Sequence, residues 1–224
     1  MFYDSSFLLL IPAILLSIYA QIKVSRTFSK YSKISNKRGI SGKEIAETML
    51  RSEGIQDVSI KQATGFLSDH YNPLKKELRL SPDVYGGSSI ASVGVAAHEV
   101  GHAIQHARSY YPMHLRTFIY PAVSFSSWMA PILIILGFII NNLGMLKFGI
   151  VFYALSVVFT LITLPVEFNA SSRALAFIKT HSILDSQEFD GTSKVLKAAA
   201  LTYVAAAITA ILELIRLILI VRDR

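Results

Sequence analysis

Four stretches of the chain are apolar for about the length a helix needs to cross a bilayer, and this restricts the fold more than any other feature. At 1.5 Å per residue, about 20 apolar residues match ~30 Å of hydrocarbon. The stretches are Phe2–Ile22, interrupted only by Asp4; Phe118–Ile140 and Phe148–Val166, both uncharged; and Ala198–Val221, which carries Glu213 and Arg216. Composition agrees. The chain is 52% hydrophobic and 17% charged, where a soluble domain carries about 25% charge. In the last stretch the uncharged part, Ala198–Leu212, is short for a full span. Glu213 and Arg216 stand at i, i+3 and are expected to pair with one another on one helix face.

Charge sets the orientation. Lys and Arg total 22 against 15 Asp and Glu, a net charge of +7. In a soluble protein that excess would suggest nucleic acid, but here it clusters beside the apolar stretches, with no basic–aromatic stacking pattern. Nothing basic precedes the first stretch and Ile18-Tyr19-Ala20 is a poor cleavage site, so we read a retained anchor rather than a signal peptide. Lys23, Arg26, Lys30, Lys33, Lys37 and Arg38 follow it. The positive-inside rule places them in the cytoplasm and the N-terminus outside. By alternation the turn 141–147 faces outward, and Arg173, Lys179, Lys194 and Lys197 face the cytoplasm.

Residues 41–112 make the longest polar stretch, and their pattern predicts a small α+β module. Ser41-Gly42-Lys43-Glu44 fits a capping box, Ile45, Met49 and Leu50 follow at helical spacing, and Gly54 is a natural stop. Three strands are expected at Val58–Ala63, Phe66–Tyr71 and Glu77–Ser81, with Asn72-Pro73 turning between the last two. Pro82 and Gly86-Gly87 break the pattern. Ser88 or Ser89 then caps a helix running to about Arg108. Residues 23–40 read as a basic, serine-rich linker, solvated and attracted to lipid.

The chemistry is concentrated in His98-Glu99-Val100-Gly101-His102. Two histidines four apart on a helix lie one turn apart on one face, and can share a Zn²⁺. Glu99 would lean toward a water at the metal without ligating, take its proton and pass it to the leaving amine. The chain has no cysteine. This excludes disulfides, thiol catalysis and Cys-held zinc, so a third ligand must be His, Asp or Glu. His106 continues the series, but lies about 12 Å along the helix from His98. Glu167 is the better candidate. Two spans separate it from His102, and a crossing of about 28 Å returns it to the same face of the membrane. Topology alone leaves it as either a ligand or an interfacial charge. For the developing oxyanion, His70 and Arg173 are candidates; a surface histidine and a headgroup arginine are equally compatible with their positions. His114 and His181 read as exposed loop residues.

HEVGHAIQH at 98–106 and Leu80-Ser81-Pro82-Asp83-Val84-Tyr85 point to a family. Asp69-His70-Tyr71, Leu164-Pro165-Val166-Glu167-Phe168-Asn169-Ala170-Ser171 and the alanine-rich stretch 195–207 do the same. Together they make the chain resemble the YugP-type bacterial membrane neutral zinc metallopeptidases over nearly its whole length. The layout is also similar to the HtpX and CAAX-protease gluzincins. The resemblance implies that His98, His102 and Glu167 hold one Zn²⁺ per chain and that Glu99 is the catalytic base. The HtpX type has an Asp four residues after its ligand Glu, and here Ser171 stands there. The group that orients each histidine is therefore open between Ser171, the nearby Asn169 and others.

The expected fold is a mainly α membrane protein of about four transmembrane helices with a small cytoplasmic zincin-like α+β module. The expected boundaries are 1–22 anchor, 23–40 linker, 41–112 module, 117–166 helical hairpin, 167–197 cytoplasmic segment with the third ligand, and 198–221 last membrane helix. The expected function is peptide-bond hydrolysis at the cytoplasmic face of the cell (inner) membrane. The substrate is a polypeptide, membrane-associated or unfolded, and the lipid bilayer is a partner; no nucleic acid is expected, and protein partners are not specified by the sequence. A helix carrying Gln105, His106 and Arg108 argues against an intramembrane protease. A non-catalytic zinc-site adaptor or scaffold is the alternative from another class.

Overall fold

The computed structural model describes residues 5–65 and 68–222. Phe2 and Asp4 of the first apolar stretch, and Phe66-Leu67 of the expected second strand, lie outside the described residues. The chain is mainly helical, with one small sheet among the described residues. Four described helices are long and apolar enough to cross a membrane. Two compact units result, one of residues up to Gln21, His114–Pro165 and from Leu201 on, the other of Ile22–Met113 and Val166–Ala200.

The first unit is made from the apolar parts of four long helices, each of which extends along the chain beyond the unit's limits. A 3₁₀ turn, Ser5–Leu10, leads into α1, Ile11–Tyr31; helices α5, Tyr111–Ile139, and α6, Leu143–Thr180, form the hairpin; α7 is Ser186–Arg222. Small residues let the hairpin close: a Cβ on Gly137 would meet Leu146, and one on Gly149 would meet Ile134. Hydroxyls join helices, Ser127 to Ser156 at 2.9 Å and Ser17 to Thr209 at 3.1 Å. Glu213 and Arg216 form the expected mutual pair, with two hydrogen bonds of 2.8 and 2.6 Å.

The second unit carries the chemistry. Its helix α2, Gly42–Ser52, begins with the full capping box between Ser41 and Glu44, so orphan N–H groups at its start are satisfied from both sides. Ile45, Ala46, Met49 and Leu50 on its inner face are buried. They share one core with Val93, Ala96, Ala97, Val100, Ala103 and Ile104 of α4, Ile90–Ala107. Gly54 at φ +70 provides the left-handed residue that ends α2. The strands are β1, Ser59–Gln62, β2, His70–Asn72, and β3, Glu77–Leu80. The order is β1-β3-β2, with β1 parallel and β2 antiparallel to β3. Leu78 and Leu80 are fully buried on one face, while Arg79 pairs with Glu77.

Several expectations change. Glu77–Leu80, expected only as one of three strands, is the central one of the described sheet, with β1 and β2 on its two sides. Pro82 does more than break the pattern; it starts α3, the single turn Pro82–Tyr85. Its fixed φ and missing N–H suit a first helical turn. The stretch read as a solvated linker is instead helical to Tyr31 and then a fixed strap. Asn36, nearly buried, donates to the carbonyls of Ile40 and Ser88 and accepts from the Ile40 N–H; Lys37 N–H donates to Glu188. Ser89 is the residue that caps α4, its hydroxyl accepting from Ser92 N–H. Glu167 lies inside a helix, because α6 continues unbroken past Pro165 to Thr180, while the division between the two units falls between Pro165 and Val166. Helix α7 likewise starts at Ser186, ahead of 198.

Candidate metal centre

Helix α4 and the part of α6 that follows Pro165, both within the second unit, build the site. Helix α4 presents His98 and His102 from adjacent turns, their rings edge to face with centroids 4.8 Å apart. The α6 segment beyond Val166 supplies Glu167. One donor atom from each of these three residues lies within 4.8 Å of the others. Glu167 Oε2 is 3.3 Å from His98 Nε2 and 3.6 Å from His102 Nε2. Tetrahedral donors at about 2.0–2.1 Å from zinc stand about 3.4 Å from one another, so the separations fit a single ion.

The other ring nitrogens are already engaged. His98 Nδ1 meets Ser171 Oγ at 3.0 Å and His102 Nδ1 meets Gln105 Oε1 at 3.0 Å. Both Nε2 atoms are thus directed at the carboxylate. Sequence reasoning did not single out Gln105. The signal was available, since a residue three after His102 on one helix shares its face. Ser171 falls one turn after Glu167 on α6, which explains how a hydroxyl takes the place that the resemblance gives to an Asp.

Electrostatics favours a cation. Burial works against a charged His102. Its hydrogen bond to Glu167 and the charges of Glu99 and Glu167 outweigh this and hold the imidazole above its ordinary value. A pocket that stabilises a proton on a buried imidazole is one that stabilises positive charge. Glu99 is itself only 8% exposed, on the residue next to His98.

Close backbone packing sets these distances. A Cβ on Gly101 would lie 2.6 Å from the Ala170 carbonyl oxygen, and one on Gly94 would lie 2.8 Å from Thr192 Cγ2. We expect Gly101→Ala to separate α4 from α6, lowering stability by about 1–3 kcal/mol and reducing zinc content; thermal unfolding and metal analysis on the purified variant check both. Unchanged zinc at unchanged stability would mean that the contact does not set the site.

Not every candidate joins the group. His70 is exposed on β2, its Nδ1 2.8 Å from the Ser68 carbonyl. Arg173 directs Nε at Asn169 Oδ1, 2.7 Å away. His106 meets the Tyr71 hydroxyl at 2.8 Å, and burial of that phenol pushes it up to about 12. His181 stacks on Phe177.

Known proteins agree with this chemistry. A family described as "putative neutral zinc metallopeptidase" matches residues 6–222. A Bacillus subtilis (strain 168) protein named "putative membrane protease YugP" is 46% identical over 212 residues, 95% of this chain and 94% of that protein. No solved structure matches.

Proposed function

The chain belongs to the family described as "putative neutral zinc metallopeptidase", and from this premise we propose that it is a gluzincin-like peptidase that hydrolyses polypeptides at the cytoplasmic surface of the membrane. The observation that carries the reading is the convergence of His98, His102 and Glu167 donor atoms within 4.8 Å, with Glu99 on the adjoining residue of the same helix. These three side chains would hold one Zn²⁺ per chain. Zinc, when bound, supplies a Lewis acid that polarises a carbonyl and brings the pKa of a water toward ~7. Glu99 would serve as the base, taking up a proton at its carboxylate and returning it to the departing amine. Ser171 and Gln105 hold the two imidazoles in line.

The test is direct. The detergent-purified chain should cleave an unfolded protein such as casein, lose this activity to a strong chelator and regain it with added Zn²⁺. Activity indifferent to chelation would overturn the reading.

The charge pattern supports a cytoplasmic active site. Because the chain has no cysteine, single cysteines report sidedness without background. We expect Asn142→Cys to react with an impermeant maleimide on intact spheroplasts, and Lys75→Cys to react only once the membrane is opened. The reverse pattern would invert the assignment.

A further inference from the structure

Arg173 entered as a candidate for touching the substrate, but its contacts give it another task. Gln105 is fully buried. Its Nε2 donates to the Val166 carbonyl at 2.7 Å and to Asn169 Oδ1 at 3.0 Å. Both partners only accept, so the amide nitrogen faces α6 and the amide oxygen faces His102 Nδ1, 3.0 Å away. That oxygen only accepts as well. The hydrogen of neutral His102 therefore sits on Nδ1, and the lone pair of Nε2 points toward Glu167. Asn169 is turned the right way by Arg173, whose Nε donates to the same Oδ1. The partner of His98 is different in kind. Ser171 Oγ either donates or accepts, so it leaves the tautomer of His98 to the metal.

We infer that Gln105 is the positioning residue for His102 and that Asn169 and Arg173 act through it, so that His102 is set for metal before any ion arrives. The inference rests on the zinc site proposed above. Arg173 is then a positioning residue three hydrogen bonds removed from His102, through Asn169 and Gln105, and the oxyanion donor must be sought elsewhere. The arrangement also accounts for the burial of a full-length amide beside a ligand, where an apolar residue would leave the His102 N–H without its acceptor.

The experiment compares zinc affinity, by competition with a chromophoric chelator, and the visible spectrum of the Co²⁺-loaded protein. Wild type is set beside Gln105→Met, Arg173→Met and the double variant. Partners of metal-bound histidines are worth 10–100-fold in affinity, so Gln105→Met should weaken zinc by about that factor and shift the cobalt bands. Arg173→Met should weaken zinc in the same direction by less, and add little in the Gln105→Met background, as members of one network do. Should Gln105→Met fail to fold, Asn169→Leu against Asn169→Asp makes the same comparison. The aspartate keeps the accepting oxygen and should retain wild-type affinity, while the leucine should not. Wild-type zinc affinity and cobalt spectrum in Arg173→Met, with turnover reduced at full occupancy, would overturn the role of Arg173 and return it to the substrate. Wild-type zinc affinity in a folded Gln105→Met or Asn169→Leu variant would overturn the role of Gln105. A wild-type chain that takes up neither zinc nor cobalt would overturn the metal site itself, and the inference with it.

Discussion

Glu99→Gln is expected to remove cleavage while leaving zinc bound. The amide keeps the size and burial of the carboxylate, and residue 99 is not one of the three donors that converge, so the ion should stay. What is lost is a group able to accept a proton at neutral pH. A positioned general base contributes typically 10²–10⁴-fold, and turnover should fall by about that factor or below detection. The measurement pairs casein cleavage with zinc per chain on the same preparation. Wild-type cleavage by the variant would remove Glu99 from the mechanism. Zinc lost together with activity would place it among the ligands instead.

Glu167→Ala should have the opposite signature, with the metal going first. Two imidazoles alone make a weak site, and a structural or catalytic zinc takes at least three protein ligands. The loss should exceed the 10–100-fold assigned to an orienting partner, leaving the purified variant with little zinc. Metal analysis of wild type beside Glu167→Ala decides it. A variant that still carries one zinc per chain would show that Glu167 is an interfacial charge, the other reading its position at the end of an apolar stretch allowed. A wild type unable to hold zinc when supplied would bring the adaptor reading forward.

These two experiments bear on residues that differ in how far the sequence revealed them. Local patterns were legible wherever a residue acts on neighbours in its own helix. The Ser41–Glu44 capping box, Ser89 at the start of α4 and the Glu213–Arg216 pair all depend on spacings of three or four residues, and all are present. The pairing of His98 with His102 is legible for the same reason. Glu167 required a count of membrane crossings and a family resemblance, because its distance along the chain says nothing about its distance in space. Three features escaped. The central place of Glu77–Leu80 depends on β1 joining in parallel across a long connection, which alternation within a strand does not encode. The strap at Asn36 was hidden behind its basic composition, since one amide bonding three backbone groups leaves no trace in charge counts. The α6 helix runs through Pro165 because a proline within a long helix removes one hydrogen bond and the remaining ones carry on; an apolar stretch that stops at 166 marks where the compact units divide and not where the helix ends.

The approach of Gly101 to Ala170 has a consequence for the genetics of the site. The three atoms a Cβ at residue 101 would crowd are the carbonyl oxygen, carbonyl carbon and Cα of Ala170, all main chain. Trimming residue 170 to glycine frees none of that space, so the usual compensating exchange of a larger residue for a smaller one across a contact is closed here. A selection for revertants of Gly101→Ala should therefore return true reversion, or changes that move a whole helix, and no suppressors at 170. The middle of the zinc motif is held in place by a neighbour that has nothing left to give up.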